Sequence, residues 1–93
     1  MTKLRDLLNS RVLVADGAMG TMLQAQGDLD LERDFQGLEG CNEVLNITRP
    51  DVVSAVHRAY LEAGSDCVET NTFGTNLAAL AEYGIVDRLA ELA

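Results

Sequence analysis

The chain reads as an α/β protein, and as the opening part of a parallel sheet rather than a finished one. Three observations carry this. Two short apolar runs, Val12-Leu13-Val14-Ala15 and the stretch around Asp66 to Thr70, have the character of buried strands. Each is followed by a helical pattern, and the order strand, helix, strand, helix predicts a right-handed parallel crossover. The last helical pattern, Ile85 to Ala93, has an apolar face at Val86, Leu89, Ala90 and Ala93 and no cap after it. Two parallel strands cannot bury both faces of a sheet, so a larger α/β domain is expected, incomplete at its C-terminal end.

Thr2 to Asn9 is expected to form a short helix, with Thr2 as its cap and Leu4, Leu7 and Leu8 on one face. The valines of Val12 to Ala15 are β-branched, and Ser10 and Asp16-Gly17 bound the run. Gly17 and Gly20 allow a sharp turn. Met19 to Gln26 then has helix-forming composition and stops at Gly27.

From Asp28 to Asn46 the periodicity fades. The stretch holds Asp28, Asp30, Glu32, Asp34, Glu39 and Glu43, with Arg33 its one basic residue. A solvated loop with a short helical turn is expected there, the alternative being a functional lid, binding loop or mobile arm. Thr48-Arg49-Pro50-Asp51 is a helix start. Thr48 can cap, Pro50 suits the first turn, and Asp51 completes a capping box and favours the positive helix end. Val52, Val56, Ala59 and Ala63 recur at helical spacing with Tyr60 beside them, and Gly64 is the stop. Leu77 to Tyr83 forms a further helix, closed by Gly84.

Composition narrows the function. The 93 residues suffice for one small domain at most. The formal charge is −8, from 15 acidic and 7 basic residues, so no basic patch can be assembled for nucleic acid or an anionic membrane surface. No apolar run approaches a membrane span, and Met1 to Asp6 lacks a secretory apolar core. A cytoplasmic protein is expected. Cys41 and Cys67 are not in a C-x-x-C arrangement, and His57 is the one histidine. A disulfide framework is therefore not expected, nor is a metal site made by this chain alone.

The chemistry is expected just past the carboxyl ends of the two strands, where α/β folds place it. The first end carries Asp16-Gly17-Ala18-Met19-Gly20-Thr21 and the second Thr70-Asn71-Thr72-Phe73. With these, Asn46-Ile47-Thr48-Arg49-Pro50-Asp51, His57-Arg58-Ala59-Tyr60 and Ala63-Gly64-Ser65-Asp66 complete a set of motifs in order over nearly the whole chain. On these residues the chain resembles the homocysteine S-methyltransferase family. Through Met19-Gly20-Thr21-Met22-Leu23-Gln24 it looks most like the family's cobalamin-dependent, methionine-forming members; the betaine-dependent ones are more distant.

The resemblance implies a (β/α)₈ TIM barrel, a fold that needs about 250 residues. Residues 1–93 would be the N-terminal part of that homocysteine-binding domain, roughly its first quarter: an N-terminal helix and two βα units. It implies transfer of a methyl group to the zinc-bound thiolate of homocysteine, forming methionine, with methylcobalamin and 5-methyltetrahydrofolate as donors. Zinc favours the thiolate over the weakly nucleophilic thiol, and the cofactor carries the harder chemistry. The family's three zinc-ligand cysteines lie near the ends of later strands, and Cys41 and Cys67 match none of them. Zinc and cobalamin are thus expected in the complete enzyme, with none bound by this chain alone, which is expected to be inactive by itself. Its partners would be homocysteine and the remainder of the barrel or a second chain.

Each site residue has two readings. The resemblance makes Asp16 a partner for the substrate ammonium; the bland alternative is a helix cap on the amide of Ala18 or Met19. Gly17, Ala18, Gly20 and Thr21 would present amides to the substrate carboxylate, or only relieve a tight turn. The resemblance places Thr70, Asn71, Thr72 and Phe73 on the pocket wall; Asn71 and Thr72 could instead bond local backbone. Glu69 would line the barrel or pair with an arginine. His57 is expected to be packed or solvent-facing, Cys67 a small core residue, and Cys41 exposed on the acidic loop. Two other functions compete with the enzyme domain. One is a non-catalytic protein of the same family completed by a partner. The other is a small anion- or nucleotide-binding module, disfavoured because no lysine or arginine accompanies the Gly17–Gly20 turn.

Overall fold

The computed structural model describes residues 3–93. Thr2, expected to cap the first helix, lies outside the described residues. Among the described residues six α-helices alternate with turns: α1 (Leu4–Ser10), α2 (Gly20–Gln24), α3 (Leu45–Thr48), α4 (Pro50–Glu62), α5 (Leu77–Glu82) and α6 (Leu89–Leu92). Single turns of 3₁₀ helix, Asn42–Val44 and Val86–Arg88, lead into α3 and α6.

The two expected strands meet at one parallel bridge, between Ala15 and Cys67. The Asp66 N–H donates to the Val14 carbonyl at 2.7 Å. The Asp66 side chain then clamps the same segment. Its carboxylate accepts from the Val14 N–H at 2.8 Å and takes two bonds from Arg11, at 2.8 and 3.1 Å. Those Arg11 bonds, together with the Val14 N–H, hold the Asp66 carboxyl below the usual carboxylate range. Parallel register is therefore set by one ion pair and a few backbone bonds rather than by an extended ladder.

Burial departs from expectation along this segment. Val12 is 87% exposed and Val14 56%, where a buried strand is expected. Leu4 and Leu8 of α1 are exposed as well, and α1 buries none of its residues. The cause is physical: no second layer of described chain lies over this edge.

The core lies elsewhere. Leu23 of α2, Leu45 of α3 and Val52, Val53 and Val56 of α4 form it, with Met19, Met22, Leu29, Phe35 and Tyr60 packed around. Of the stripe expected on α4, Val52 and Val56 are buried, while Ala59 and Ala63 face solvent and Val53 takes a buried place. Pro50 does open α4, but Thr48 does not cap it. The Thr48 hydroxyl donates to the carbonyls of Asp34 and Val44, and the flanking residue is Arg49. Asp51 pairs with Arg49 at 3.1 Å instead of closing a capping box. Helix α4 ends as expected: Gly64 has φ +116°, and the Ser65 N–H reaches back to the Tyr60 carbonyl at 3.0 Å. Helix α2 ends at Gln24, short of the expected Gln26, and α6 buries Leu92 rather than the face of Val86, Leu89, Ala90 and Ala93.

The Asp28 to Asn46 stretch contains the expected helical turn but is not a solvated loop. Asp34, Cys41, Glu43, Val44 and Leu45 are all buried. Cys41, expected to be exposed, is fully enclosed, and burial pushes its thiol pKa up. Cys67 is half-buried, with its thiol facing the Val14 carbonyl at 3.9 Å. Among the described residues no helix is long and apolar enough to cross a membrane.

Candidate functional site

The ends of the two extended segments open on one side of the molecule into a cavity of about 570 Å³. All nine residues singled out from the sequence border it: Asp16, Gly17, Ala18, Gly20 and Thr21 from the first segment, and Thr70, Asn71, Thr72 and Phe73 from the second. The register just described brings them together. Beyond the Ala15–Cys67 bridge, the Asp16 carboxylate accepts the Glu69 N–H at 3.1 Å. Asp16 therefore ties one segment end to the other. It does not cap α2, whose flanking residue Met19 receives no side-chain cap.

The turn after Asp16 is held from beneath. The Tyr60 hydroxyl donates to the Ala18 carbonyl at 2.7 Å, and its ring lies against Gly17. A Cβ on Gly17 would stand 3.1 Å from that hydroxyl, so the close approach explains the glycine. The amide groups of Gly17, Ala18, Met19, Gly20 and Thr21 make no hydrogen bond among the described residues. Helix α2 has only five residues, so the donors themselves, rather than a long helix dipole, would serve an anionic group.

The second segment supplies mixed roles. Thr70 and Thr72 share a hydroxyl–hydroxyl bond of 2.7 Å. Phe73 stands 99% exposed at the rim. Asn71 is buried, and its amide donates to the Asn42 carbonyl at 2.9 Å and to Asn46 Oδ1 at 3.0 Å. Asn46 returns a bond of 2.8 Å to the Asn71 carbonyl. Both Asn71 amide hydrogens are thus spent on joining this segment to the 3₁₀ turn and α3. These partners are distant in sequence, unlike the local backbone partners weighed from the sequence.

Sequence reasoning missed part of the wall. Asn42, Glu43, Gly74, Glu82 and Tyr83 also border the cavity, and so does Glu69, which pairs with no arginine among the described residues. Tyr83 is anchored by its hydroxyl to the Glu39 carbonyl at 3.0 Å. The available signal for Glu43 was its place in Cys41-Asn42-Glu43-Val44-Leu45, an acid directly ahead of two apolar residues. Among the described residues four carboxylates, of Asp16, Glu43, Glu69 and Glu82, line the cavity, and no lysine, arginine or histidine does. Free amides after the first extended segment and carboxylates around them suit a zwitterion better than a polyanion.

His57 lies apart from this cavity. It is half-buried on α4 beside a smaller hollow of about 370 Å³, and its Nδ1 has no partner among the described residues. Among the described residues, no group of three or more His, Cys, Asp or Glu side chains is placed to hold a metal ion. Cys41 and Cys67 border neither hollow.

The homocysteine S-methyltransferase family matches the chain over residues 13–93. Over 91 residues, 98% of its length, the chain is 63% identical to the methionine synthase of Mycobacterium tuberculosis and covers 8% of that protein. It is 58% identical to the methionine synthase of Mycobacterium leprae over the same share of its own length, covering 7% of that protein. The chain thus spans less than a tenth of the length of these curated relatives. No solved structure matches it.

Proposed function

Since the chain belongs to the homocysteine S-methyltransferase family, we infer that it forms the homocysteine-binding opening of a methionine synthase-type enzyme, the first βα units of a TIM barrel. The observation that carries this is the gathering of both motif ends around one cavity that offers carboxylates and unpaired amides together. Homocysteine is an amino acid with an ammonium, a carboxylate and a thiol. In this reading Asp16 takes the ammonium in a charge-assisted bond. The amides of Gly17, Ala18, Gly20 and Thr21 take the carboxylate. Thr70, Thr72 and Phe73 form the wall along the side chain. Asn71 acts indirectly, by fixing that wall to α3.

The described residues do not fit zinc. Cys41 is sealed away with its thiol pKa raised, and no ligand cluster exists near the cavity. In this reading a zinc site lies outside the described residues, whose role is to bind and orient the substrate. When present there, zinc would hold the homocysteine sulfur as thiolate. Four carboxylates without one basic side chain make the cavity a poor host for phosphate, which weighs against the nucleotide-binding alternative.

Calorimetric titration of the natural full-length protein with homocysteine, and separately with ATP, tests the reading. Saturable homocysteine binding without ATP binding is expected. Binding of ATP alone would overturn it.

A further inference from the structure

Asn46 of α3 spends its whole side chain on other elements. Its Nδ2 donates to the Asn71 carbonyl at 2.8 Å and to the Leu92 carbonyl at 3.3 Å, and its Oδ1 accepts from Asn71 Nδ2 at 3.0 Å. Two main-chain carbonyls on one end of the amide fix which end is the nitrogen. Thr70, Asn71 and Thr72 form a partition, bordering both the candidate cavity and the smaller hollow beside His57. Asn46 borders the smaller hollow and not the cavity. The Asn71 carbonyl is thus drawn to the far side of the partition. The Asn71–Thr72 peptide is trans, and a trans peptide carries its C=O and its N–H on opposite sides. The Thr72 N–H consequently faces the cavity, and it makes no hydrogen bond among the described residues.

We propose that Asn46 is a positioning residue for the substrate: by holding the Asn71 carbonyl it keeps the Thr72 N–H aimed into the cavity as a donor to the substrate carboxylate. This rests on the homocysteine reading above. A main-chain N–H is a fixed donor only while its peptide plane is fixed. Rotation of this plane would turn the Asn71 carbonyl, an acceptor, toward the ligand, so the plane decides whether the partition attracts a carboxylate or repels it. Asn46 selects the attracting face from behind, without touching the ligand.

The test uses the natural full-length protein, with calorimetric titration by homocysteine and by 3-aminopropane-1-thiol, which lacks only the carboxylate. Two variants are compared with wild type. Asn46→Asp keeps the shape and the acceptor for the Asn71 amide but loses the donor to the Asn71 carbonyl. Asn46→Ala removes both without adding charge. The wild type should prefer homocysteine. Each variant should cut that preference roughly tenfold while leaving the affinity for 3-aminopropane-1-thiol within about twofold. If Asn46→Asp fails to fold, Asn46→Ala decides by the same criterion. A merely structural Asn46 would weaken both ligands alike. That result, or an unchanged preference, would overturn the positioning role and leave the homocysteine reading standing. A wild type that binds neither ligand would overturn both.

Discussion

Asp34 is 2% exposed, with both oxygens occupied. Arg33 donates to them at 3.1 and 2.8 Å, the Asp30 N–H at 2.9 Å and Arg49 at 3.4 Å. The Arg33 bonds are the main reason its carboxyl is held down to about 2, against the opposing cost of burial. The folded value lies below the unfolded one of about 3.9, so the contribution is complete above pH ~4 and is lost as pH falls toward 2. Acid titration followed by circular dichroism should show the wild type losing helix across that window. Asp34→Asn should start less stable and change less there. An identical acid limb in the two proteins would show that Asp34 is not the anchor of this loop. The loop's acid-rich composition pointed to solvent; what it could not show was that Arg33 and Arg49 converge on one of its carboxylates.

At the scale of elements, helix stops and starts were legible where one residue does the job locally. Gly64 and Gly84 close α4 and α5 at positive φ, and Pro50 opens α4. Starts that depend on tertiary partners were not. Thr48 has the chemistry of a cap but spends its hydroxyl on Asp34 and Val44. Among the described residues a side-chain cap forms at Asn76, which accepts the Ala79 N–H at 2.8 Å at the start of α5. Asn76→Ala should therefore destabilise by about 1 kcal/mol in urea unfolding, and Asn76→Asp by far less. Equal losses for the two would rule out capping. The candidate site was legible because its residues follow directly on two short apolar segments, which the structure joins at the Ala15–Cys67 bridge. Glu43 and Tyr83 escaped notice because their approach to the cavity depends on how the acidic loop packs, which has no periodic signature.

The whole molecule is looser than a finished domain of its size. Its radius of gyration is 15.1 Å, against about 12 Å for a compact chain of 93 residues. Its accessible surface is 6248 Å², against about 5,200 Å² for a compact monomer of 10.0 kDa. The excess is apolar in part: Leu4, Leu8, Val12, Val14 and Leu77 are all more than half exposed. In the barrel reading these surfaces await further βα units. The isolated 93-residue chain should then bind a hydrophobic dye, self-associate in sedimentation and melt broadly. A monomer with a sharp cooperative melt would contradict that. The central claim, that this cavity holds homocysteine through Asp16, is tested most directly by titrating the natural full-length protein and its Asp16→Asn variant with homocysteine, with metal content checked in parallel. Asparagine keeps an acceptor for the Glu69 N–H and so preserves the tie between the segments, while losing the charge that meets the ammonium. The predicted result is a loss of roughly ten- to a hundredfold in affinity, from ~1.5–3 kcal/mol, at unchanged metal content; equal affinity in the two proteins would contradict it and leave Asp16 a purely structural bridge.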